Sequence, residues 1–311
     1  MSKKNPQEVD ADLKPDTSLA EAEVALLKNQ YSKTLSEFCH APATVSLSRA
    51  AHAMYRLGRI RQCLAISAAV RGARAPNPSG LRSGVLESLA GTHAMVVHRK
   101  HWCGTHYNKT NLSDLALQVA MLIALGWRDL ATFVLHDWFG DETQLDTIYH
   151  PTLSGVGGMI VSVAGQALGV EVPQATFRPS DAPLASMAQH WRGDETAFIE
   201  LAVQLADRHL AQSHGHGPDV LAEFDHPIEQ AVPVELLMLL RLREHAYVPR
   251  WLAVHPAMAH PAATLLTLSP PVLSQRCELF CERTARLLPG FEALSAAIAA
   301  QRTPLRSNAG G

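Results

Sequence analysis

Histidine and acidic side chains are the groups in this chain with the clearest potential for chemistry. The chain has 16 histidines among 311 residues, and His136 directly precedes Asp137 in the run HDW. A histidine beside a carboxylate could act as a catalytic pair, but neighbouring residues on a helix point about 100° apart. We therefore do not expect these two side chains to share a face or to form a catalytic site.

Further acidic residues follow the predicted helix that contains Asp137. Asp141, Glu142 and Asp146 lie shortly after its end. Paired carboxylates could bind a metal ion or carry out acid–base chemistry. An exposed acidic loop is the more common structure, and such a loop could also recognise a basic partner.

The connection HWCGTHYNKT, residues 101–110, has the composition of a binding loop. Its side chains Trp102, His106 and Tyr107 are of types that anchor protein interfaces. Packing of these side chains against their own loop is the alternative. We predict that the segments 101–110 and 137–146 form a partner-binding surface.

Metal-binding and nucleophile motifs are not indicated. His214 and His216 flank a glycine, but a zinc site needs three or four ligands in fixed geometry. Cys277 and Cys281 would share a helix face, where we expect them to be buried as small apolar side chains. The motifs HExxH, CxxC, GxSxG and GxxxxGK[ST] are missing from the sequence. We therefore predict no catalytic residues, no metal and no cofactor.

Helices are the elements that would position these residues. In the run QHWRGDETAFIELAVQLADRHL, residues 189–210, Asp194 is a good helix-capping residue. Mostly apolar residues then recur at helical spacing and predict one buried stripe. These residues are Phe198, Leu201, Ala202, Leu205, Ala206 and His209.

Similar patterns predict helices along the whole chain. The predicted ranges are 18–38, 46–71, 81–99, 113–125, 127–139, 233–245, 271–287 and 290–301. The glycine-rich run 155–168 is predicted as a buried helix, with a short strand as the alternative because glycine disfavours helix. Three His-Pro pairs predict extended or turning chain. They are His226-Pro227, His255-Pro256 and His260-Pro261.

We expect an all-α fold of antiparallel helical hairpins. Gly58, Gly126 and Gly193 recur every 67 or 68 residues, which is about twice a ~34-residue helical-hairpin repeat. This spacing favours a repeat-like, α-solenoid-like array, and coincidence among 19 glycines is the alternative. We expect a disordered tail over 1–17, one helical domain over 18–302 with a candidate subdomain boundary near 175, and a disordered tail over 303–311.

Composition restricts the classes of partner. The net charge is −2, and arginine is spread through the helices, so no general basic field favours nucleic acid. The longest apolar runs, such as ALQVAMLIALGW, are too short to span a membrane. The polar start MSKKNPQEVDADLKPD has no apolar signal-peptide region, and five scattered cysteines fit a reducing compartment. We therefore expect a cytoplasmic protein that binds neither nucleic acid nor membrane.

Three stretches resemble a known protein family. They are LALQVAMLIALGWRD (115–129), WRGDETAFIELAVQLADRHL (191–210) and PVELLMLLRLREHAYVP (233–249). In order and spacing they resemble the C-terminal two-thirds of the all-helical immunity proteins of bacterial polymorphic-toxin and type VI secretion systems, in particular the immunity protein 49 family. The first hundred residues carry no matching motif.

The resemblance implies a cytoplasmic protein that binds one cognate toxin tightly and blocks its active site or its folding. Such proteins have no catalytic residues to transfer to this chain. We expect a monomer or a homodimer. Two other classes stay open, namely a helical-repeat scaffold or adaptor, and a metal-dependent enzyme that takes histidine and carboxylate ligands from separate helices.

Overall fold

Helical patterns dominate the sequence, and a computed structural model of the protein is all-α. It describes residues 17–41, 44–70, 77–101, 110–140, 148–149, 155–173, 177, 179, 181–213, 223–224, 226–258 and 269–302. Thirteen α-helices lie within these ranges. The predicted fold class is therefore confirmed.

The helices follow one another along the chain. In chain order they are α1 (Thr17–His40), α2 (Leu47–Val70), α3 (Pro78–Lys100), α4 (Leu112–Ala124), α5 (Arg128–Phe139), α6 (Val156–Leu168), α7 (Ala182–His190), α8 (Glu195–Ser213), α9 (Pro227–Ala231), α10 (Val234–Leu242), α11 (Arg250–Ala253), α12 (Gln275–Leu287) and α13 (Glu292–Arg302). A 3₁₀ turn, Pro256–Met258, follows α11. Two short strands, β1 (Thr110–Asn111) and β2 (Ile148–Tyr149), pair in parallel.

Helices α2 and α3 make the closest helix–helix contact, and glycine makes it possible. Gly58 of α2 faces Gly84 and Ser88 of α3, and a Cβ atom on Gly58 would lie 2.6 Å from the Gly84 carbonyl oxygen. Two turns later in α3, a Cβ atom on Gly91 would lie 2.5 Å from the carbonyl oxygen of Ala51. Because the two main chains are in direct contact, these positions have no space for a side chain.

Helix α3 is the central helix of the fold. Nearly all of its residues from Leu81 to Ala94 are buried, and α1 packs against α2 and α12. Asn77 caps its start by accepting a hydrogen bond from the Gly80 amide at 2.9 Å, and Pro78 is its first residue. The end of the helix carries basic residues, which suit the negative end of the helix dipole.

Helix α4 is a second buried helix and packs against α5, α6 and α10. One hydrophobic core extends from Leu35 of α1 to Ile298 of α13. In α10 the residues Val234 to Leu240 are all buried, as the run PVELLMLL predicts. Among the described helices, none combines the length and the apolar character that a membrane span requires.

The glycine-rich run 155–168 folds as helix α6 rather than as a strand. Its residues from Val156 to Gly165 are all buried, and it packs against α4, α5 and α7. This burial outweighs the low helix propensity of glycine. Gly169 follows with φ +68°, a left-handed conformation that glycine adopts readily.

The pattern over residues 189–210 forms α8 and its cap, as predicted. The Asp194 carboxylate accepts a hydrogen bond from the Ala197 amide at 2.9 Å. Leu201 is half-buried, and the rest of the predicted stripe is buried. The buried residues are Phe198, Ala202, Leu205, Ala206 and His209.

The recurring glycines do not mark one repeated position. Gly58 lies inside α2, whereas Gly126 lies in the turn between α4 and α5 with φ +76°. Gly193 lies in the turn before α8, where its amide donates to the carbonyl of His190. The all-α class is shown, but a repeat-like array is not confirmed.

Several connections differ from the prediction in detail. The described residue His226 is extended, as expected before proline, but Pro227 then begins helix α9. Pro256 likewise begins the 3₁₀ turn, and the pair His260-Pro261 lies outside the described residues. Helix α7 is not among the predicted helices. The boundary near 175 and the two tails, except Thr17 in α1, also lie outside the described residues.

Two helices end in a Schellman motif but differ in the residue at its left-handed position. After α4 this residue is Gly126, with φ +76°, and after α10 it is Glu244, with φ +64°. In both motifs this amide and the next one donate to carbonyls of the last helical turn at 2.9 to 3.0 Å. A residue with a Cβ atom is strained in this conformation by about 1–2 kcal/mol.

Replacing Glu244 with glycine should therefore raise the free energy of unfolding by about 0.5–1 kcal/mol, since glycine relieves the strain but increases the entropy of the unfolded chain. Urea unfolding of the Glu244→Gly protein measures the change. The matched control is Gly126→Ala, which introduces the strain after α4 and should lower stability. Loss of stability in the Glu244→Gly protein would contradict the assignment of strain to Glu244.

Candidate partner-binding surface

The structure describes one of the seven residues predicted to contact a partner. Asp137 lies in the last turn of α5, where its side chain is 26% exposed. The other predicted contact residues lie outside the described residues. They are Trp102, His106, Tyr107, Asp141, Glu142 and Asp146.

Residues at or next to the ends of the two predicted segments are paired with one another. At the end of α3, the Lys100 ammonium donates to the Asp137 carbonyl oxygen at 3.1 Å and to its carboxylate at 2.8 Å. On the other side of the segments, β1 pairs in parallel with β2. Residues 101–110 and 137–146 therefore start from neighbouring points of the fold and lead to neighbouring points.

The sequence contains no local signal for the Lys100–Asp137 contact, because the two residues are 37 positions apart. The ion pair is partly exposed, and such pairs contribute about 0–1 kcal/mol to stability. Its importance is geometric, since it joins the ends of α3 and α5. His136 is exposed and does not join this contact, in agreement with the expected divergence of His136 and Asp137.

A buried histidine lies under the Lys100–Asp137 pair. The ring of His93 in α3 is 1% exposed and lies 5.6 Å from the Phe133 ring and 5.5 Å from the Phe291 ring, between centroids. The Trp138 indole N–H donates to His93 Nδ1 at 3.3 Å. Because an indole nitrogen can only donate, His93 Nδ1 is the acceptor, and the neutral ring carries its proton on Nε2.

Burial keeps His93 neutral. It lowers the pKa of His93 to about 4, against an ordinary value of 6.5, and the nearby Lys100 adds to this shift. Asp137, whose Oδ2 lies 3.7 Å from Nδ1, opposes it. The junction of α3 and α5 therefore contains a histidine that resists protonation.

The other residues considered for chemistry are structural or lie outside the described part. Cys277 and Cys281 are both buried in α12, as expected. The hydrogen bond with Cys281, together with burial, raises the pKa of Cys277 well above its ordinary value. His214 and His216 lie outside the described residues. Within the described ranges, no group of three or more His, Cys, Asp or Glu side chains is placed to hold a metal ion.

The sequence did not indicate a cysteine–histidine contact that the structure contains. Cys63 Sγ of α2 lies 4.0 Å from His226 Nδ1. Burial raises the pKa of Cys63 and lowers the pKa of His226 to about 3, with Arg59 and Arg56 adding to the shift of His226. A neutral thiol beside a neutral imidazole lacks the thiolate character of a nucleophile. His226 Nδ1 instead accepts a hydrogen bond from the Ile228 amide and caps α9.

Glu87 is a fully buried carboxylate at the centre of α3. It accepts hydrogen bonds from the Ser274 hydroxyl at 2.5 Å and from the Arg276 guanidinium at 3.1 Å, and Arg61 lies 3.2 Å away. These contacts tie α12 to α2 and α3. A single acidic residue within the apolar run VLESLAG is the sequence signal for such a centre.

Two further buried pairs hold the C-terminal half of the fold. Arg59 of α2 donates to the carboxylate of Glu229 in α9, and both side chains are buried. His209 of α8 lies 2.7 Å from Glu235 of α10, again with both side chains buried. Burial opposes the charge on His209, but attraction to Glu235 and their hydrogen bond raise the pKa of His209 overall. The first pair joins residues 170 positions apart in sequence, and the second joins residues 26 positions apart.

Known proteins add no further assignment. Neither a protein-family model nor a curated protein nor a solved structure matches this chain.

Acidification should weaken the α3–α5 junction through His93. The folded protein binds this proton only near pH 4, whereas the unfolded chain binds it near 6.5. The contribution of neutral His93 to the free energy of unfolding is therefore fully present above pH 6.5 and is lost as the pH drops toward 4. The loss is about 3 kcal/mol, at ~1.4 kcal/mol per pKa unit. Urea unfolding between pH 7 and pH 4 should show a smaller loss in the His93→Gln protein, because glutamine can accept from Trp138 but does not titrate in this range.

The matched control is His136→Gln, which removes an exposed histidine of α5. Its stability should follow the pH dependence of the unaltered protein. His226 is unchanged in all three proteins, so its own protonation does not affect the comparison. Parallel loss of stability in the unaltered protein and the His93→Gln protein would contradict the assignment.

Proposed function

We propose that this chain is an immunity protein, a cytoplasmic all-α protein that captures one cognate toxin and blocks it by occlusion. The observation that carries the proposal is the pairing of residues at or next to the ends of segments 101–110 and 137–146. Lys100 holds Asp137, and β1 pairs with β2. The described ends of the two segments thus lie next to each other, which supports contact of both segments with a single partner.

The chemistry of the two segments favours a basic partner. Asp141, Glu142 and Asp146 would attract a positive surface and increase the rate of association. The net charge of the whole chain is only −2, so this attraction has to come from the local cluster. The charge of Asp137 is already compensated by Lys100, and its role in the proposal is to position the second segment.

Aromatic residues would supply most of the affinity. Trp102 and Tyr107 are of the types that dominate the binding energy of protein interfaces when they enter a pocket of the partner. The toxin's active site, or a surface needed for its folding, is the proposed pocket. Occlusion requires no catalytic residue in the immunity protein.

The described buried carboxylates support a binding role over a catalytic one. Glu87 is bonded to Ser274 and Arg276, and Glu229 and Glu235 are paired with Arg59 and His209 respectively. These groups are engaged in holding helices together. A scaffold that binds several proteins and a metal-dependent enzyme are the alternatives that the following experiment distinguishes.

The product of the neighbouring gene, the candidate toxin, should stop growth of a host cell, and co-expression of this chain should restore growth. The two proteins should also co-purify as a metal-free complex of nanomolar affinity. Weak capture of several proteins would favour the adaptor, and a stoichiometric transition metal in the purified chain would favour the enzyme. Failure to restore growth would contradict immunity for this pair.

A double variant tests whether the aromatic residues of segment 101–110 supply the binding affinity. The Trp102→Ala/Tyr107→Ala protein should lose at least ~2 kcal/mol of binding free energy, or about 30-fold in Kd. The control is Tyr247→Ala, which removes an aromatic side chain that is 78% exposed elsewhere on the fold. Equal loss in both proteins would count against segment 101–110 as the anchor.

Neutralising the acidic segment should slow association. The Asp141→Asn/Glu142→Gln/Asp146→Asn protein should bind the toxin with an association rate reduced by about tenfold or more at low salt, with a smaller change in dissociation. Stopped-flow measurements at several salt concentrations should also show a weaker salt dependence than for the unaltered chain.

The matched control neutralises three exposed glutamates of α8 and α12. It is the Glu200→Gln/Glu278→Gln/Glu282→Gln protein, which has the same change in net charge. This control should keep most of the association rate. If both variants slow association equally, total charge rather than the acidic segment is responsible.

A further inference from the structure

A small cavity lies where α2, α3, α4 and α9 meet. Its volume is about 20 Å³. Its polar lining comes from Arg59, Gln62, Ser88, Gln118 and Glu229, and its remaining wall is aliphatic. A cavity measured in the same way needs a volume of about 10–15 Å³ to hold one water molecule.

Gln118 presents a hydrogen-bond acceptor that has no partner among the described residues. Its Nε2 donates to Thr92 Oγ1 at 2.9 Å and to the Asp114 carbonyl oxygen at 3.2 Å. Because a carbonyl oxygen can only accept, the amide cannot be reversed without losing a bond. Gln118 Oε1 is therefore fixed as the atom that lacks a partner, and the residue is only 6% exposed.

Arg59 presents a matching donor. Its Nη2 is engaged by the carboxylate of Glu229, but its Nε has no partner in the described part of the chain. The residue is 7% exposed, so bulk water does not solvate the Nε–H group. The residues that carry this buried donor and this buried acceptor both line the cavity, and leaving both atoms unsatisfied is unfavourable.

Size and charge restrict what can occupy the cavity. A cation would lie beside the Arg59 guanidinium, and an anion would lie beside the Glu229 carboxylate. Both arrangements bring like charges together in a buried site. The occupant must be neutral, about the size of one water molecule, and able both to accept and to donate a hydrogen bond.

We propose that this cavity binds one ordered water molecule, which accepts a hydrogen bond from Arg59 Nε and donates one to Gln118 Oε1. The water links α2 to α4 at the point where the Arg59–Glu229 pair attaches α9. By completing the hydrogen bonding of this polar cluster, the water becomes an integral part of the fold.

A crystal structure of the full chain, at a resolution that shows ordered waters, tests the proposal directly. We expect a density peak within about 2.7–3.2 Å of both Arg59 Nε and Gln118 Oε1. A cavity without density, or a side chain of the protein that satisfies both atoms, would overturn it. The unaltered protein decides the question even if a variant fails to fold.

Oxygen-17 magnetic relaxation dispersion provides a solution test, because it counts long-lived internal waters. The Gln118→Met protein, which lacks the acceptor and keeps a similar side-chain volume, should contain one such water fewer than the unaltered chain. Gln204→Met is the matched control, since Gln204 is exposed on α8, and its count should not change. Equal counts in all three proteins would overturn the proposal.

Discussion

The main-chain contact between α2 and α3 is the constraint on which the other contacts depend. Gly58 meets Gly84, and Gly91 meets Ala51, at distances that exclude a Cβ atom. Such a contact determines how closely α3 approaches α2 and which residues of the two helices face each other. A shift of one residue along α3 would place a side chain where only glycine fits. The polar residues of α3 are thereby held in fixed positions and contact different neighbours. Glu87 bonds to Arg276 of α12, Thr92 accepts from Gln118 of α4, and His93 and Lys100 contact α5.

Buried charge in this fold specifies arrangement more than it adds stability. Replacement of a buried ion pair by well-packed apolar residues is often neutral or stabilising, whereas removal of one partner alone typically costs about 3–5 kcal/mol. Glu87 and Glu235 therefore penalise any packing that separates them from Arg276 and His209. The five-residue helix α9 depends most on this effect. It is too short to be stable alone, and its anchors are the Arg59–Glu229 pair and the cap from His226.

Local patterns predict the helices well because the information for a helix lies within a few residues. The Asp194 cap and the buried stripe of α8 could be read from the sequence, as could the burial of α10. Contacts between distant segments could not. Gly58 and Gly126 look alike in sequence, yet one meets another main chain and the other allows a left-handed turn. The predicted contact residues Trp102 and Asp141 were likewise chosen by composition alone, whereas the pairing at the ends of their segments depends on the tertiary fold.

The Lys100–Asp137 contact and the β1–β2 ladder would affect the proposed binding through geometry rather than through their own energy. An exposed ion pair contributes at most about 1 kcal/mol, and a ladder of two residues per strand is weak. Together they keep the described ends of segments 101–110 and 137–146 adjacent, which would lower the entropy lost on the proposed binding. Directly beneath them, neutral His93 accepts from Trp138, the residue next to Asp137. Protonation of His93 would turn this acceptor into a donor facing another donor. The same junction of α3 and α5 therefore contains the acid-sensitive His93 and holds together the starts of the two segments proposed to bind a partner.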